Sequence, residues 1–110
     1  EQAGRQQADP LWRLPLWPGY ADWMRSSVAD ISNVSSRPMA GAITAGLFLE
    51  RFVKPDQRWV HIDSYAWNDF SRPGRPEGGD SPGIRGFFAA VGAVFGFESS
   101  ACHASAIKKS

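Results

Sequence analysis

Glycine and proline are concentrated in two stretches of this sequence, and these stretches limit where regular structure can form. The chain holds 11 glycines and 8 prolines among 110 residues. Pro10, Pro15 and Pro18 lie close together near the start, and proline interrupts the hydrogen bonding of a helix interior. Between positions 72 and 83, seven of the twelve residues are glycine or proline. The clusters follow no fixed period, which excludes collagen and repeat architectures.

Two segments outside these stretches carry the apolar spacing of helices. In residues 40–53, apolar residues recur every three or four positions, and small residues fill the first half. Lys54 and Pro55 follow, and a basic residue and a proline commonly end a helix. Residues 84–97 show the same period, although three glycines weaken it. We therefore predict helices at 40–53 and 84–97, the first of them buried on most sides.

Strand signals are fewer. Trp59–Asp63 is short, aromatic and β-branched, which predicts a buried strand, and Val28–Ile31 predicts a short strand or an extended stretch. Tyr20–Ser27 predicts a short helix. Residues 1–8 are a polar lead-in, which we expect to be a frayed start or a loop.

The order of these elements is that of an α/β protein. Two strands are too few for a self-sufficient sheet, so we predict an incomplete sheet from the end of a larger α/β domain. The chain also starts at Glu1 without an initiator methionine, which we expect of a processed chain or of a piece of a longer one. We predict three regions: the lead-in 1–8, a domain segment 9–97 and a polar tail 98–110.

Composition excludes several classes of protein. Hydrophobic residues make up 43% and charged residues 21%, which is typical of a folded domain. The formal net charge of +1 gives no support for binding to nucleic acid or to an anionic membrane. No apolar run approaches the length of a transmembrane helix. A single cysteine excludes an internal disulfide and fits a reducing compartment.

Chemically active side chains are present but form no strong motif. His61 and Asp63 share one face of the predicted strand, and with Asp69 they suggest a metal site, although hydrogen bonding within the fold is the favoured interpretation. The Arg72–Gly79 segment lacks the Gly-Lys-Ser/Thr ending of a phosphate-binding loop, so we expect its arginines in ion pairs or at a subunit contact. The cysteine and its neighbouring histidine lie in the predicted tail, without the ordered base that a catalytic dyad needs.

Five stretches, in this order and at this spacing, follow the pattern of a known family. They are Asp-Pro-Leu-Trp-Arg-Leu-Pro-Leu-Trp from Asp9, Val-Ala-Asp-Ile-Ser-Asn-Val from Val28, Ala-Gly-Ala-Ile-Thr-Ala-Gly-Leu-Phe-Leu from Ala40, Trp-Val-His-Ile-Asp from Trp59, and the Arg72–Gly79 loop. Together they resemble the C-terminal part of the catalytic domain of the leucyl aminopeptidases, a family of cytosolic metallopeptidases. The resemblance extends from Asp9 to Val91.

The resemblance implies an α/β/α sandwich domain in a two-domain subunit, six such subunits in a hexamer, a cytoplasmic location, and peptide substrates that lose their N-terminal amino acid. It also implies two divalent metal ions, zinc or manganese, which activate a water for attack on the N-terminal peptide bond. In the family, an Asn-Thr-Asp-Ala-Glu-Gly-Arg motif upstream of the segment matching Asp9 supplies two metal-binding carboxylates and a catalytic arginine. That motif is absent here. The resemblance therefore assigns no metal ligand and no catalytic residue to this chain, which we expect to be inactive alone.

The resemblance does assign one wall of the substrate side-chain pocket. In the family, that wall follows the strand matching Trp59–Asp63, and residues just after strands in α/β sheets often line sites. Tyr65 and Asn68 align with positions that contact the substrate side chain, and the aromatic residues here would narrow such a pocket. Two alternatives remain open. One is a non-catalytic assembly or regulatory module derived from the same fold, and the other is a tryptophan-rich module that binds ligands such as sugars.

Overall fold

Three α-helices, one 3-10 helix and two short strands form the regular structure of residues 1–97, the part of the chain that the computed structural model describes. The elements are α1 (Gln2–Gln6), the 3-10 helix (Pro18–Met24), α2 (Gly41–Glu50), β1 (Trp67–Asn68), β2 (Gly78–Gly79) and α3 (Ile84–Phe95). This mixture of helices and few strands agrees with the predicted α/β class. The predicted tail lies outside the described residues.

The chain divides into two units. The terminal unit consists of Glu1–Trp12 together with the described residues from Ser64 onward, and the central unit is Arg13–Asp63. Every helix in the described part of both units falls short of the length and apolarity that crossing a membrane requires.

In the terminal unit, α1 packs against α3 at two glycines. A Cβ atom on Gly86 would lie only 2.7 Å from the Cα atom of Gly4, so the missing side chain allows the two helices to approach. This contact explains why residues 2–6 are helical, where the polar sequence predicts a frayed start or a loop. A five-residue helix is marginal alone, and here tertiary packing stabilises it.

The hairpin of the terminal unit pairs β1 and β2 antiparallel, with Trp67 opposite Gly79 and Asn68 opposite Gly78. A second bridge joins Arg72 and Arg75 across the turn. The glycine- and proline-rich stretch at 72–83 is therefore a structured loop.

In the central unit, the 3-10 helix packs against α2. The rings of Trp17 and Tyr20 meet edge-on with centroids 4.7 Å apart, and those of Tyr20 and Trp23 lie 4.3 Å apart. Met24 and Leu47 are the buried hydrophobic residues in the described part of the chain. The hydrophobic core of residues 1–97 is therefore small.

The predicted helix at 40–53 is confirmed, but α2 ends at Glu50. Phe52 and Val53 then donate backbone hydrogen bonds to the carbonyls of Leu49 and Glu50, which are three-residue turns rather than further α-helix. The prediction that this helix is buried on most sides holds only for its middle, where Thr44, Gly46 and Leu47 are buried. Towards the end, Leu49 is 41% exposed and Phe52 is 69% exposed. The short helix predicted at 20–27 is the 3-10 helix, shifted towards Pro18, where proline favours a helix start.

The strand predicted at Trp59–Asp63 is wrong, and Val28–Ile31, predicted as a short strand or an extended stretch, forms a series of bends. Trp59–Asp63 has no regular structure, and Val60 is 59% exposed. A strand is defined by its partner, and within residues 1–97 only β1 and β2 pair with each other. The composition of a segment does not show whether a neighbouring strand is present to pair with it.

The helix predicted at 84–97 is confirmed as α3, which ends at Phe95 before Gly96 in the left-handed conformation. Its small residues Gly86 and Gly92 are buried. Its large residues are not: Ile84 is 61% exposed and Phe88 is 52% exposed. The large apolar side chains of α3 therefore point away from the packed side.

Candidate functional site

Asn68 is the buried polar centre of the hairpin loop, with only 5% of its surface exposed. Its side-chain Nδ2 donates to the backbone carbonyls of Arg75, at 2.9 Å, and Pro76, at 2.7 Å. Its Oδ1 accepts a hydrogen bond from an Nη2 of Arg72 at 2.9 Å. One amide thus bonds both sides of the turn, and these three hydrogen bonds are internal to the loop.

Tyr65 lies in the same segment but is 77% exposed. Its hydroxyl donates to Oδ1 of Asp69 at 3.3 Å. The next residue, Ala66, has a φ of +56°, a left-handed conformation that is strained for alanine. The Ala66 carbonyl accepts the backbone N–H of Asp80 at 3.0 Å, which holds this turn against the end of β2.

The structure thus brings the two residues predicted for the pocket wall into one loop with different surroundings. Tyr65 presents a ring that a ligand could contact, whereas the side chain of Asn68 makes hydrogen bonds that stabilise the loop. Their contact with a substrate side chain stays a prediction.

A shallow cleft of about 320 Å³ lies beside this loop in the terminal unit. Its lining residues are Asp9, Gly74, Arg75, Pro76, Gly79, Asp80, Ser81, Pro82, Ile84 and Arg85. Nη1 of Arg75 lies 2.7 Å from Oδ2 of Asp80. The loop arginines were predicted in ion pairs or at a subunit contact; Arg75 forms an ion pair, whereas Arg72 donates to Asn68. Tyr65 and Asn68 do not line the cleft.

Asp80 is held at the mouth of the loop by several donors. The backbone N–H of Ser81 lowers the pKa of its carboxyl below the ordinary value, and Arg75 adds to the effect. Both charges of this pair are thus satisfied within the loop.

Asp9 organises the other side of the cleft and was not singled out from the sequence. It is 4% exposed, and its two carboxylate oxygens accept the backbone N–H groups of Gly83, at 2.8 Å, and Gly86, at 3.0 Å. These two donors lower the pKa of the Asp9 carboxyl below its ordinary value, and the nearby charge of Arg85 contributes less. Asp9 therefore caps α3 from a distant part of the chain and occupies two of the N–H groups at the start of that helix.

No metal site is formed by the described residues. Within residues 1–97, no group of three or more His, Cys, Asp or Glu side chains lies close enough together to bind a metal ion. His61 and Asp63 lie in the central unit, and Asp69 lies in the terminal unit. The Nε2 atom of His61 is buried and has no hydrogen-bond partner among these residues. The donor set of this part of the chain does not fit the two divalent ions that the sequence pattern implies.

Comparison with known proteins gives one consistent result. The family model described as "Cytosol aminopeptidase family, catalytic domain" matches residues 1–88. The "Probable cytosol aminopeptidase" of Geobacter sulfurreducens is 44% identical over 86 residues, which cover 76% of this chain and 17% of that protein. The "Probable cytosol aminopeptidase 2" of Shewanella oneidensis is 47% identical over 74 residues, or 66% of this chain and 14% of that protein.

A solved structure matches as well. The crystal structure of the cytosol aminopeptidase from Coxiella burnetii is similar with a TM-score of 0.75 and 48% identity, over 79% of this chain and 19% of that chain. The chain therefore spans only about a sixth of the length of the curated relatives it matches, at 17% for several of them.

Proposed function

Since the chain belongs to the cytosol aminopeptidase family, we propose that it is part of a metal-dependent aminopeptidase that releases N-terminal amino acids from peptides. The observation that carries this proposal is the match over residues 1–88, together with the structural similarity to the Coxiella burnetii aminopeptidase. This chain supplies structural elements and part of the substrate pocket. The whole protein acts in the cytoplasm as a hexamer.

The reaction depends on two divalent ions, zinc or manganese, that residues outside this chain bind. We assign no step of the reaction to a side chain of this sequence. By itself the chain is inactive.

The loop 64–68 forms one wall of the pocket for the substrate's N-terminal side chain. Tyr65 supports this proposal because its ring is exposed and its hydroxyl is anchored to Asp69. Asn68 contributes by fixing the shape of the loop through its bonds to Arg75 and Pro76. The bulky ring of Tyr65 narrows the pocket.

Activity tests the first part of the proposal. The full-length gene product that contains this chain is purified, stripped with a chelator, and assayed on leucine amide with added manganese or zinc. We expect hydrolysis that returns with the metal, and no hydrolysis by the 110-residue chain under the same conditions. Metal-dependent hydrolysis by the short chain, or an inert full-length protein, contradicts the proposal. The second result favours the non-catalytic assembly or regulatory module.

Substrate preference tests the pocket wall. In the full-length protein, Tyr65→Ala should change the ratio of kcat/KM between a large and a small N-terminal side chain by about tenfold, since one aromatic contact is removed. Phe70→Ala is the matched control, because Phe70 is exposed to the same degree, at 78%, and lies five residues on. Equal ratios for Tyr65→Ala and Phe70→Ala contradict the assignment of Tyr65.

A further inference from the structure

A tyrosine and an aspartate lie together at the loop that we propose as a pocket wall. The hydroxyl of Tyr65 donates to Oδ1 of Asp69 at 3.3 Å. Both residues are exposed, Tyr65 by 77%. The hydroxyl therefore holds a carboxylate at the edge of an accessible aromatic ring, whose face carries a partial negative charge. We refer to the two side chains as the Tyr65–Asp69 pair.

The carboxylate of this pair is available to a ligand. Within the described part of each unit, one ion pair lies in the central unit and one joins Arg75 to Asp80, and Asp69 takes part in neither. Arg72, the basic residue nearest to it in sequence, donates to the side chain of Asn68. Two arginines of the loop are thus engaged with other groups, and Asp69 accepts from a neutral hydroxyl.

A ring and a carboxylate at this spacing match the chemistry of a basic side chain. A cation within about 6 Å of the centroid of an aromatic ring is attracted by the face of the ring. Because the hydroxyl lies at the edge of the ring, a cation placed there is also close to the carboxylate. An aliphatic side chain would instead remove water from the carboxylate without replacing its hydrogen bonds, and an acidic side chain would be repelled.

We infer that the Tyr65–Asp69 pair gives the pocket a preference for peptides with a basic N-terminal residue, lysine or arginine. The inference rests on the proposed function, which makes loop 64–68 a wall of the pocket, and it deepens that proposal by naming the substrate class. The ring of Tyr65 packs against the stem of the substrate side chain, and Asp69 pairs with the charge at its end. An unbranched stem also fits beside a ring that narrows the pocket better than the branched side chain of leucine does.

Rates on two matched amides test the inference in the full-length protein. Lysine amide and norleucine amide share one unbranched carbon stem, and lysine alone ends in an ammonium group. We expect the higher kcat/KM for lysine amide. Asp69→Asn keeps an acceptor for the Tyr65 hydroxyl but removes the charge. It should therefore lower the ratio of kcat/KM for lysine amide to that for norleucine amide by about fivefold, the effect of a salt bridge near the surface.

Two further variants and a salt series keep the result interpretable. Glu77→Gln is the matched control, since it removes the same charge from another exposed position of the hairpin loop that the substrate does not cover, and it should leave the ratio unchanged. Tyr65→Phe keeps the ring and releases the carboxylate, so it should lower the ratio by about twofold. Raising the salt concentration from about 0.05 to about 0.5 M should reduce the preference of the wild type for lysine amide and have little effect on that of Asp69→Asn.

The outcomes separate the substrate preference from the proposed function. Equal ratios in the wild type and Asp69→Asn, or an equal loss in Glu77→Gln, overturn the preference, while hydrolysis of norleucine amide leaves the proposed function standing. Slower hydrolysis of both amides at an unchanged ratio in Asp69→Asn shows a role in loop structure alone and also overturns the preference. Failure of the metal-loaded wild type to hydrolyse either amide overturns the proposed function, and the preference with it.

Discussion

In the terminal unit a buried carboxylate joins segments 74 and 77 residues apart, whereas in the central unit aromatic rings three residues apart contact one another. Asp9 makes the first kind of contact, to Gly83 and Gly86. Trp17, Tyr20 and Trp23 make the second. One contact is polar, buried and dependent on the whole unit, and the other is apolar and local.

The difference predicts different sensitivities. Charge-assisted hydrogen bonds from backbone N–H groups to a buried carboxylate are strong, and each has a narrow geometry. A cluster of rings on a short helix tolerates small shifts, because dispersion contacts depend less sharply on direction than hydrogen bonds do. The terminal unit should therefore respond to single-atom changes that the central unit absorbs.

The largest effect is expected at Asp9. Asp9→Asn replaces one acceptor oxygen by an NH₂ group that faces a backbone N–H, so one hydrogen bond becomes a repulsive contact. Hydrogen exchange at the amides of Gly83 and Gly86 should accelerate about a hundredfold. Asp22→Asn is the control in the central unit. Its ion pair with Arg25 is 69–79% exposed and should contribute almost nothing. Unchanged exchange in Asp9→Asn would show that α3 does not depend on this cap.

Two glycine substitutions compare the packing of the units. A Cβ on Gly86 would meet backbone atoms, with the Cα of Gly4 at 2.7 Å, and these atoms cannot move without separating α1 from α3. A Cβ on Gly46 would meet only Cδ2 of Leu16, at 2.6 Å, the end of a flexible side chain. We expect Gly86→Ala to lower the free energy of unfolding by about 1–3 kcal/mol through overpacking.

For Gly46→Ala we expect a change within about 1 kcal/mol, because the helix propensity of alanine offsets the shift of Leu16. Urea denaturation of the two variants measures the difference. Gly41→Ala provides the unhindered reference, since nothing lies within 4 Å of the added atom. A larger loss in Gly46→Ala than in Gly86→Ala would reverse the comparison.

Acid should weaken the terminal unit. The pKa of Asp9 is lowered by the N–H groups of Gly83 and Gly86, and that of Asp80 by the N–H group of Ser81 and by Arg75, so both lie below the ordinary 3.8. A carboxyl with a lowered folded-state pKa contributes stability that is fully present above its unfolded-state pKa. That stability is lost as the pH falls through the folded-state pKa.

Hydrogen exchange at Gly86, corrected for the intrinsic rate, should therefore lose protection as the pH falls below about 3.8. The loss should be smaller than in Asp9→Asn at neutral pH, because the hydroxyl oxygen of a protonated carboxyl can still accept a hydrogen bond, whereas the NH₂ group of asparagine only donates. In Asp9→Asn the remaining acid effect should come from Asp80 alone. An undiminished acid effect in that variant would assign the sensitivity to another group.

The sequence predicted the parts of the fold that are locally determined. The apolar period located α2 and α3, and the family resemblance drawn from five stretches is confirmed by the match to residues 1–88. The strand expected at Trp59–Asp63 failed because a strand needs a neighbour. The helix α1 was missed because contact with α3 stabilises it, and polar local sequence carries no sign of that contact.

The candidate site was predicted less completely, for the same reason. Tyr65 and Asn68 came from the resemblance, and their pocket role stays a prediction. Asp9 was missed because its partners are glycines near the other end of the chain, and a single aspartate before a proline gives no signal of such a contact. The bracing role of Asn68 was also invisible, since a buried amide that bonds two backbone carbonyls looks in sequence like any loop asparagine.

The smallest expected effect is the change in the free energy of unfolding when glycine replaces an alanine of positive φ, and it tests whether backbone strain differs between the units. Ala66 in the terminal unit and Ala40 at the start of α2 have φ values of +56° and +52°, a conformation that costs an L-residue about 1–2 kcal/mol. Glycine relieves that cost but loses more entropy on folding, so Ala66→Gly and Ala40→Gly should each raise the free energy of unfolding by about 0.5 kcal/mol. Ala45→Gly, inside α2, is the control and should lower the free energy of unfolding by about 1 kcal/mol.

Equal gains from Ala66→Gly and Ala40→Gly would mean that the strain depends only on the residue's own φ and not on the contacts of the unit around it. A gain confined to Ala40→Gly would mean that the polar contacts of the terminal unit require the Ala66 turn to be rigid, since a flexible glycine would then weaken the bond from Asp80 that closes it.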